Sequence, residues 1–126
     1  MNRTILIVDD EAHIRILMEQ TLEDLEDEGV ELLTASNGVE ALELIQTARP
    51  TLVFLDVMMP KMDGFEVCQS VKGDTTLQDT YIIMLTAKGQ AFDQQKGQEA
   101  GANLYMTKPF DPDEILEKAT EILAIA

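Results

Sequence analysis

Apolar residues in this chain come in five short, nearly unbroken runs: Thr4 to Val8, Glu31 to Ala35, Leu52 to Leu55, Tyr81 to Thr86 and Asn103 to Thr107. Runs of this kind, rich in branched side chains, predict strands buried on both faces of a sheet, because a strand with one wet face would alternate. Glu31 to Ala35, which opens on a charge, is the weakest of the five. Between the runs the spacing becomes helical. Asp10 to Asp27 sets Ile14, Leu17, Met18, Leu22 and Leu25 on one stripe. Asn37 is placed to cap a second helix, with Glu40 reaching back to it and Val39, Leu42 and Ile45 facing inward until Pro50. A shorter helix carries Phe65, Cys68 and Val71, and a poorly patterned one, interrupted by Gly97, spans about Phe92 to Ala100. The last is the best marked: Asp111 caps it, Pro112 takes the first position and Glu114 the third, and Ile115, Leu116, Ala119, Ile122 and Leu123 form its apolar face.

Strict alternation of strand and helix implies right-handed crossovers and a mostly parallel sheet with helices on both faces. Such sheets bind ligands beyond the carboxyl ends of their strands, where the strand order reverses. The first run leads into Asp9 and Asp10, the third into Asp56, the fourth ends on Thr86 before Ala87, and the fifth on Thr107 before Lys108 and Pro109. With strand order 2-1-3-4-5, the first and third strands are neighbours at the reversal, so three carboxylates share one crevice. At about 4 Å and an effective dielectric near 20, each pair repels by roughly 4 kcal/mol. Lys108 supplies one compensating charge. A divalent cation that prefers oxygen would supply the rest, and Mg²⁺ suits a site of few carboxylates completed by water and a phosphate oxygen. His13 and Cys68 are each solitary, so no zinc pattern exists, and His13 reads as a structural or surface residue. Singly, each residue also has a plain reading: Asp10 as a helix cap, Asp56 and Lys108 as turn residues, Thr86 as an ordinary strand residue. Their gathering at one end of one sheet is what points to a site.

Composition narrows the setting. The chain has 126 residues, the usual size of one domain, and is 45% apolar, enough to bury a core despite a net charge of -15. Nine Lys and Arg against 24 acids, with no basic run, disfavour direct binding of nucleic acid or anionic membrane. The expected partners are proteins and cations. The apolar run near the N-terminus, Ile5 to Val8, is too short for a signal peptide, no stretch approaches the roughly 18 apolar residues of a membrane span, and one cysteine cannot form an internal disulfide. A cytoplasmic protein is expected. Glu23 to Glu31 is acid-rich and sits badly at the end of a helix, where the dipole prefers cations, so fraying is expected there.

With those residues assembled, the chain resembles the receiver domain of bacterial two-component response regulators. Asp9-Asp10-Glu11, the DVMMPKMDG stretch from Asp56 to Gly64, Thr86-Ala87 and Lys108-Pro109-Phe110 match that family's signature in order and spacing, and the resemblance covers residues 1–126 as one receiver domain. It implies a flavodoxin-like, doubly wound five-stranded parallel sheet with five helices, and a phosphorylation-activated switch in two-component signalling. Asp56 would accept the phosphoryl group from a histidine kinase or phosphotransfer protein. Mg²⁺ would be held by Asp10, Asp56 and the backbone carbonyl of Met58, and by Asp9 largely through water. Lys108 would touch a phosphoryl oxygen, Thr86 would bond to the phosphoryl group once present, and Lys108-Pro109 would be a cis peptide. Tyr105 would turn inward with Thr86 and remodel a face that docks a downstream protein target. Met58 and Lys88 occupy positions that tune loss of the phosphoryl group. Neither can align a water as an amide or carboxylate would, so slow self-dephosphorylation is expected.

Two other function classes compete. A haloacid-dehalogenase-like phosphatase also uses Asp, Mg²⁺, Thr and Lys, but needs a second Asp two residues after the nucleophile as general acid, where this chain has Met58; turnover of a phosphate ester would favour it. A constitutive binding module with a vestigial acidic pocket would take no phosphoryl group from acetyl phosphate. The reading from sequence is therefore a signalling switch that assists its own phosphorylation and dephosphorylation and is not a conventional enzyme. It fits either a chemotaxis-type single-domain regulator or the receiver of a longer protein.

Overall fold

Five strands, β1 (Arg3–Val8), β2 (Val30–Ala35), β3 (Leu52–Asp56), β4 (Tyr81–Ala87) and β5 (Leu104–Lys108), pair in parallel in the order β2-β1-β3-β4-β5. The computed structural model describes residues 3–59, 62–87, 99–108 and 110–124. Alternate residues of each central strand point to opposite layers. Leu6, Val8, Val53, Leu55, Ile82 and Met84 pack beneath Ala41 and Ile45 on one side and Val67, Cys68 and Val71 beside them. Ile5, Ile7, Leu52, Phe54, Ile83 and Leu85 pack against Met18, Leu22, Ile115 and Ala119 on the other. Two buried layers explain why the central runs do not alternate. β2 and β5 depart from that expectation. As edge strands they leave Glu31 and Thr107 exposed, with partly buried residues around them.

The covering helices are α1 (Ala12–Leu22), α2 (Gly38–Ala48), α3 (Gly64–Lys72) and α4 (Pro112–Ile122), the last being the well-marked C-terminal helix. Of the helix expected near Phe92 to Ala100, only Glu99 and Ala100 are described, and both are helical; the rest, with Lys88, Gly89, Gly97 and Pro109, lies outside the described residues. The expected cap of α4 is present, Asp111 accepting from the Asp113 N–H with Pro112 in the first turn. Asn37 caps α2 by accepting from the Glu40 N–H at 2.9 Å. Glu40 itself turns to the Ser36 hydroxyl instead of back to Asn37.

Three expectations need correction. The continuous helix from Asp10 to Asp27 is α1 followed by a tighter 3₁₀ helix, Glu23–Glu28, ended by Gly29 at φ 85°. Five acids in that segment oppose the helix dipole, and the chain answers with a change of pitch. Leu17 is 42% exposed because the buried line of α1 runs through Met18 and Leu22, and Leu17 falls at its edge. Val39 is 43% exposed because α2 buries Gly38, Ala41 and Ile45, a line from which position 39 is rotated by about 100°.

At the carboxyl end of the sheet the register does the positioning. Val8 pairs with Leu55 and Asp56 with Leu85, so the residues following β1 and ending β3 emerge side by side. Ala87 pairs with Lys108, which sets the lysine at the same level. α3 starts immediately against this end: Asp63 and Glu66 form a reciprocal capping box, and the Gly64 N–H donates to the Val57 carbonyl at 2.9 Å. A side chain at Gly64 would collide with the Asp56 carbonyl oxygen and stand 3.0 Å from Val57 Cα. Gly64→Ala is expected to cost about 1–3 kcal/mol of stability, as backbone overpacking does. Urea unfolding of the variant checks this; an unchanged midpoint would contradict the close packing.

Candidate functional site

Asp9, the first residue past β1, is fully buried and anchored on all sides. Its N–H donates to the Ala35 carbonyl at 3.2 Å, extending the link to β2. Its Oδ1 accepts from the Glu11 N–H at 3.0 Å, the short turn that starts α1. Its Oδ2 accepts from Lys108 Nζ at 2.6 Å, across a sequence separation of 99 residues. Its backbone carbonyl accepts from Arg15 Nη1 at 2.7 Å. Asp10 follows as the exposed member of the group, and the N-cap of α1 is Glu11, with no side-chain cap bond, so the plain reading of Asp10 as a helix cap does not hold.

Asp56 ends β3, buried, with Oδ1 at 3.3 Å from Lys108 Nζ. One carboxylate oxygen from each of Asp9, Asp10 and Asp56 lies within 4.8 Å of the others. Two oxygens bound to one Mg²⁺ at about 2.1 Å stand up to ~4 Å apart, so small side-chain rotations bring this set onto one ion. The donor chemistry also fits: hard carboxylate oxygens, with no His or Cys among the grouped residues. Met58, two residues beyond β3, is 60% exposed beside this cluster in sequence.

Electrostatics at the cluster are one-sided. Burial pushes the Asp56 carboxyl up to about 6, the Asp9 charge pushes further in the same direction and Asp10 adds to it, while Lys108 pulls back by charge and hydrogen bond. Burial alone would lower the Lys108 ammonium, but its bond to Asp9 and the charges of Asp56 and Asp9 more than offset that, and its pKa is raised. Lys108 is therefore held as a cation, bridging two of the three acids. Three carboxylates against one ammonium leave a negative excess that a divalent cation would neutralise.

The other expected residues sit nearby in different settings. Thr86 is buried in β4, and its hydroxyl donates to the Met106 carbonyl at 3.4 Å, toward β5. Tyr105, the second residue of β5, packs against the layer under α2 and α3. Its phenol is raised by burial. Cys68 is buried, donates to the Ala100 carbonyl, and has its thiol pushed up to about 11 by burial, the mark of a packing residue. His13 is an exposed side chain beside Glu11. Arg15 was not singled out by sequence reasoning, although a lone cation five residues after an acidic pair was a usable signal.

Comparison with known proteins agrees with this geometry. The sequence profile of the response regulator receiver domain matches residues 5–120. The chain is 46% identical over 123 residues to the alkaline phosphatase synthesis transcriptional regulatory protein PhoP of Bacillus subtilis, covering 98% of this chain and 49% of that protein. It thus spans about half the length of the curated relatives it first matches. Among solved structures, chemotaxis response regulator CheY4 of Vibrio cholerae superposes with a TM-score of 0.83 at 35% identity, covering 97% of this chain and 99% of that one. The BeF3-activated receiver domain of DrrB superposes with a TM-score of 0.82 at 32% identity over 98% of this chain and 99% of that one. No helix among the described residues is long and apolar enough to cross a membrane. Fold, strand order, acidic cluster and sequence similarity converge: the chain belongs to the response regulator receiver family of two-component signalling.

Proposed function

We propose that Asp56 accepts a phosphoryl group, with Mg²⁺ held by Asp10, Asp56 and the Met58 carbonyl, and that this modification switches a docking face for a protein target. The observation that carries the reading is the convergence of Asp9, Asp10 and Asp56 within 4.8 Å, with Lys108 bonded to Asp9 and Asp56 together. A carboxylate attacks phosphorus when the phosphoryl oxygens are neutralised and aligned, and Mg²⁺ when bound supplies charge neutralisation on those oxygens. Lys108 supplies a second positive charge from the end of β5, two strands from β3. Both Asp9 oxygens accept hydrogen bonds, from the Glu11 N–H and Lys108, which makes Asp9 the acid least free to turn onto an ion and favours its acting through water.

The phosphoryl donor is a histidine kinase or phosphotransfer protein. The Thr86 hydroxyl exchanges the Met106 carbonyl for a phosphoryl oxygen, and Tyr105 moves with it. That a 32%-identical receiver is activated by BeF3, an anion of phosphoryl-like size, supports the phosphoryl reading. Net charge and the absence of a basic run support proteins, not nucleic acid or membrane, as direct partners of this domain. The site residues assist both gain and loss of the phosphoryl group.

Intact-mass measurement after incubation with acetyl phosphate and Mg²⁺ tests the function. Gain of one phosphoryl group, abolished by EDTA, is expected; no gain at saturating Mg²⁺ would overturn it. The exposed, apolar Met58 aligns no water on the phosphorylated site, so Met58→Asn is expected to accelerate phosphoryl loss severalfold or more. The decay of the mass-shifted species after desalting reads this out, and equal half-lives would remove Met58 from the account.

A further inference from the structure

Arg15 is placed against the dipole of its own helix and beside the acidic cluster. It lies in the N-terminal half of α1, where the helix dipole disfavours a cation, and the first turn of that helix contains no acid to offset it. Its backbone is fixed by a bond from its N–H to the Glu11 carbonyl at 3.2 Å. Its side chain runs toward the helix N-terminus, as helical side chains do, and Nη1 reaches the Asp9 carbonyl at 2.7 Å.

That carbonyl lies past the last β1 pairings, Val8 with Ala35 and with Leu55, so the sheet offers it no partner. Arg15 provides a charge-assisted one. Asp9 is held by its N–H on β2 and by its side chain on Glu11 and Lys108, but the plane of the Asp9–Asp10 peptide that follows is gripped through its carbonyl, by Arg15. Asp10 inherits its direction from that plane. Its exposed carboxylate takes no hydrogen bond among the described residues, so the backbone is what sets the point from which it reaches the cluster.

We infer that Arg15 is a positioning residue for metal loading: by clamping the Asp9 carbonyl it orients Asp10 toward the ion shared with Asp56. The inference rests on the Mg²⁺-dependent reading of the site. Groups that orient metal ligands without touching the metal are worth 10–100-fold in affinity.

The test is Mg²⁺ binding by calorimetry on wild type, Arg15→Met, which keeps the apolar stem, and Arg15→Lys, which keeps a donor. Urea unfolding in Mg²⁺-free buffer accompanies it. Arg15→Met is expected to bind Mg²⁺ about 10-fold more weakly with a nearly unchanged unfolding midpoint, and Arg15→Lys is expected to recover part of the affinity. The Mg²⁺ concentration giving half-maximal phosphorylation should rise by the same factor, with the rate at saturating Mg²⁺ restored. Wild-type affinity in Arg15→Met, or a rate lowered equally at all Mg²⁺ concentrations, overturns the inference and leaves the phosphoacceptor reading standing. Failure of the wild type to bind Mg²⁺ overturns both.

Discussion

Asp56→Asn is expected to be more stable than the wild type in Mg²⁺-free buffer at neutral pH, and to gain no phosphoryl group at all. The loss follows from removing the nucleophilic oxygen. The gain in stability follows from the crowding of like charges. The Asp56 carboxyl moves from the 3.8 of an unperturbed group to about 6, through burial first and the Asp9 charge second. At about 1.4 kcal/mol for each tenfold change, that difference amounts to ~3 kcal/mol. The sign is fixed by linkage: the folded chain holds this proton up to about pH 6 and the unfolded chain releases it near 3.8, so unfolding releases a proton between those values. Wild-type stability therefore declines as pH rises through that window, and the full cost is present above it. Asn, isosteric with the protonated acid, escapes the cost. The advantage of Asp56→Asn should be near zero below about pH 4 and grow to at most ~3 kcal/mol above about pH 6. Urea denaturation at the two ends of the window measures it. Mg²⁺ should narrow the gap by binding the wild type more tightly. Equal stabilities at both pH values would contradict the crowded-carboxylate account.

Lys108→Met is expected to do the opposite to stability and to slow the chemistry. Lys108 bridges Asp9 at 2.6 Å and Asp56 at 3.3 Å, and its side chain is only 16% exposed. Removing one partner of a largely buried ion pair leaves uncompensated charge and costs about 3–5 kcal/mol. Because the deficit is charge repulsion, it should shrink as Asp56 is protonated and shrink again when Mg²⁺ is added. Removing a preorganised positive group from a site of developing negative charge typically costs 10²–10³ in rate, so phosphorylation by acetyl phosphate at saturating Mg²⁺ should slow by about that factor. A variant as stable and as fast as wild type would show that the lysine is a bystander.

How much of this was legible in the residues can be judged element by element. The sheet was legible because β1, β3 and β4 are sandwiched between two helical layers, and that burial leaves an unbroken apolar run in the sequence. The positions of the edge strands β2 and β5 are legible but their partial exposure is not, since an apolar run cannot reveal which strand ends up with an uncovered side. Leu17 and Val39 fit an inward stripe in the sequence because such a stripe tolerates neighbours about 100° off its centre, and only the packing of α1 and α2 sets where the stripe ends. The acid-rich segment after Leu22 carried its own warning, but not that the chain would tighten into a 3₁₀ helix. The acidic cluster was legible from chain position, because residues just past parallel strands share one end of the sheet. Arg15 is legible only as a lone cation five residues past the acidic pair; that it binds a backbone carbonyl is marked by no side-chain pattern.

The central claim is that Asp56, among three neighbouring carboxylates, is the one that forms an acyl phosphate. Borohydride reduces an aspartyl phosphate to homoserine and leaves free carboxylates intact. The account predicts that protein treated with acetyl phosphate and Mg²⁺, reduced and digested, carries homoserine at position 56, while Asp9 and Asp10 are recovered unchanged. Homoserine at position 9 or 10, or at none of the three in protein that has gained a phosphoryl group, would contradict it.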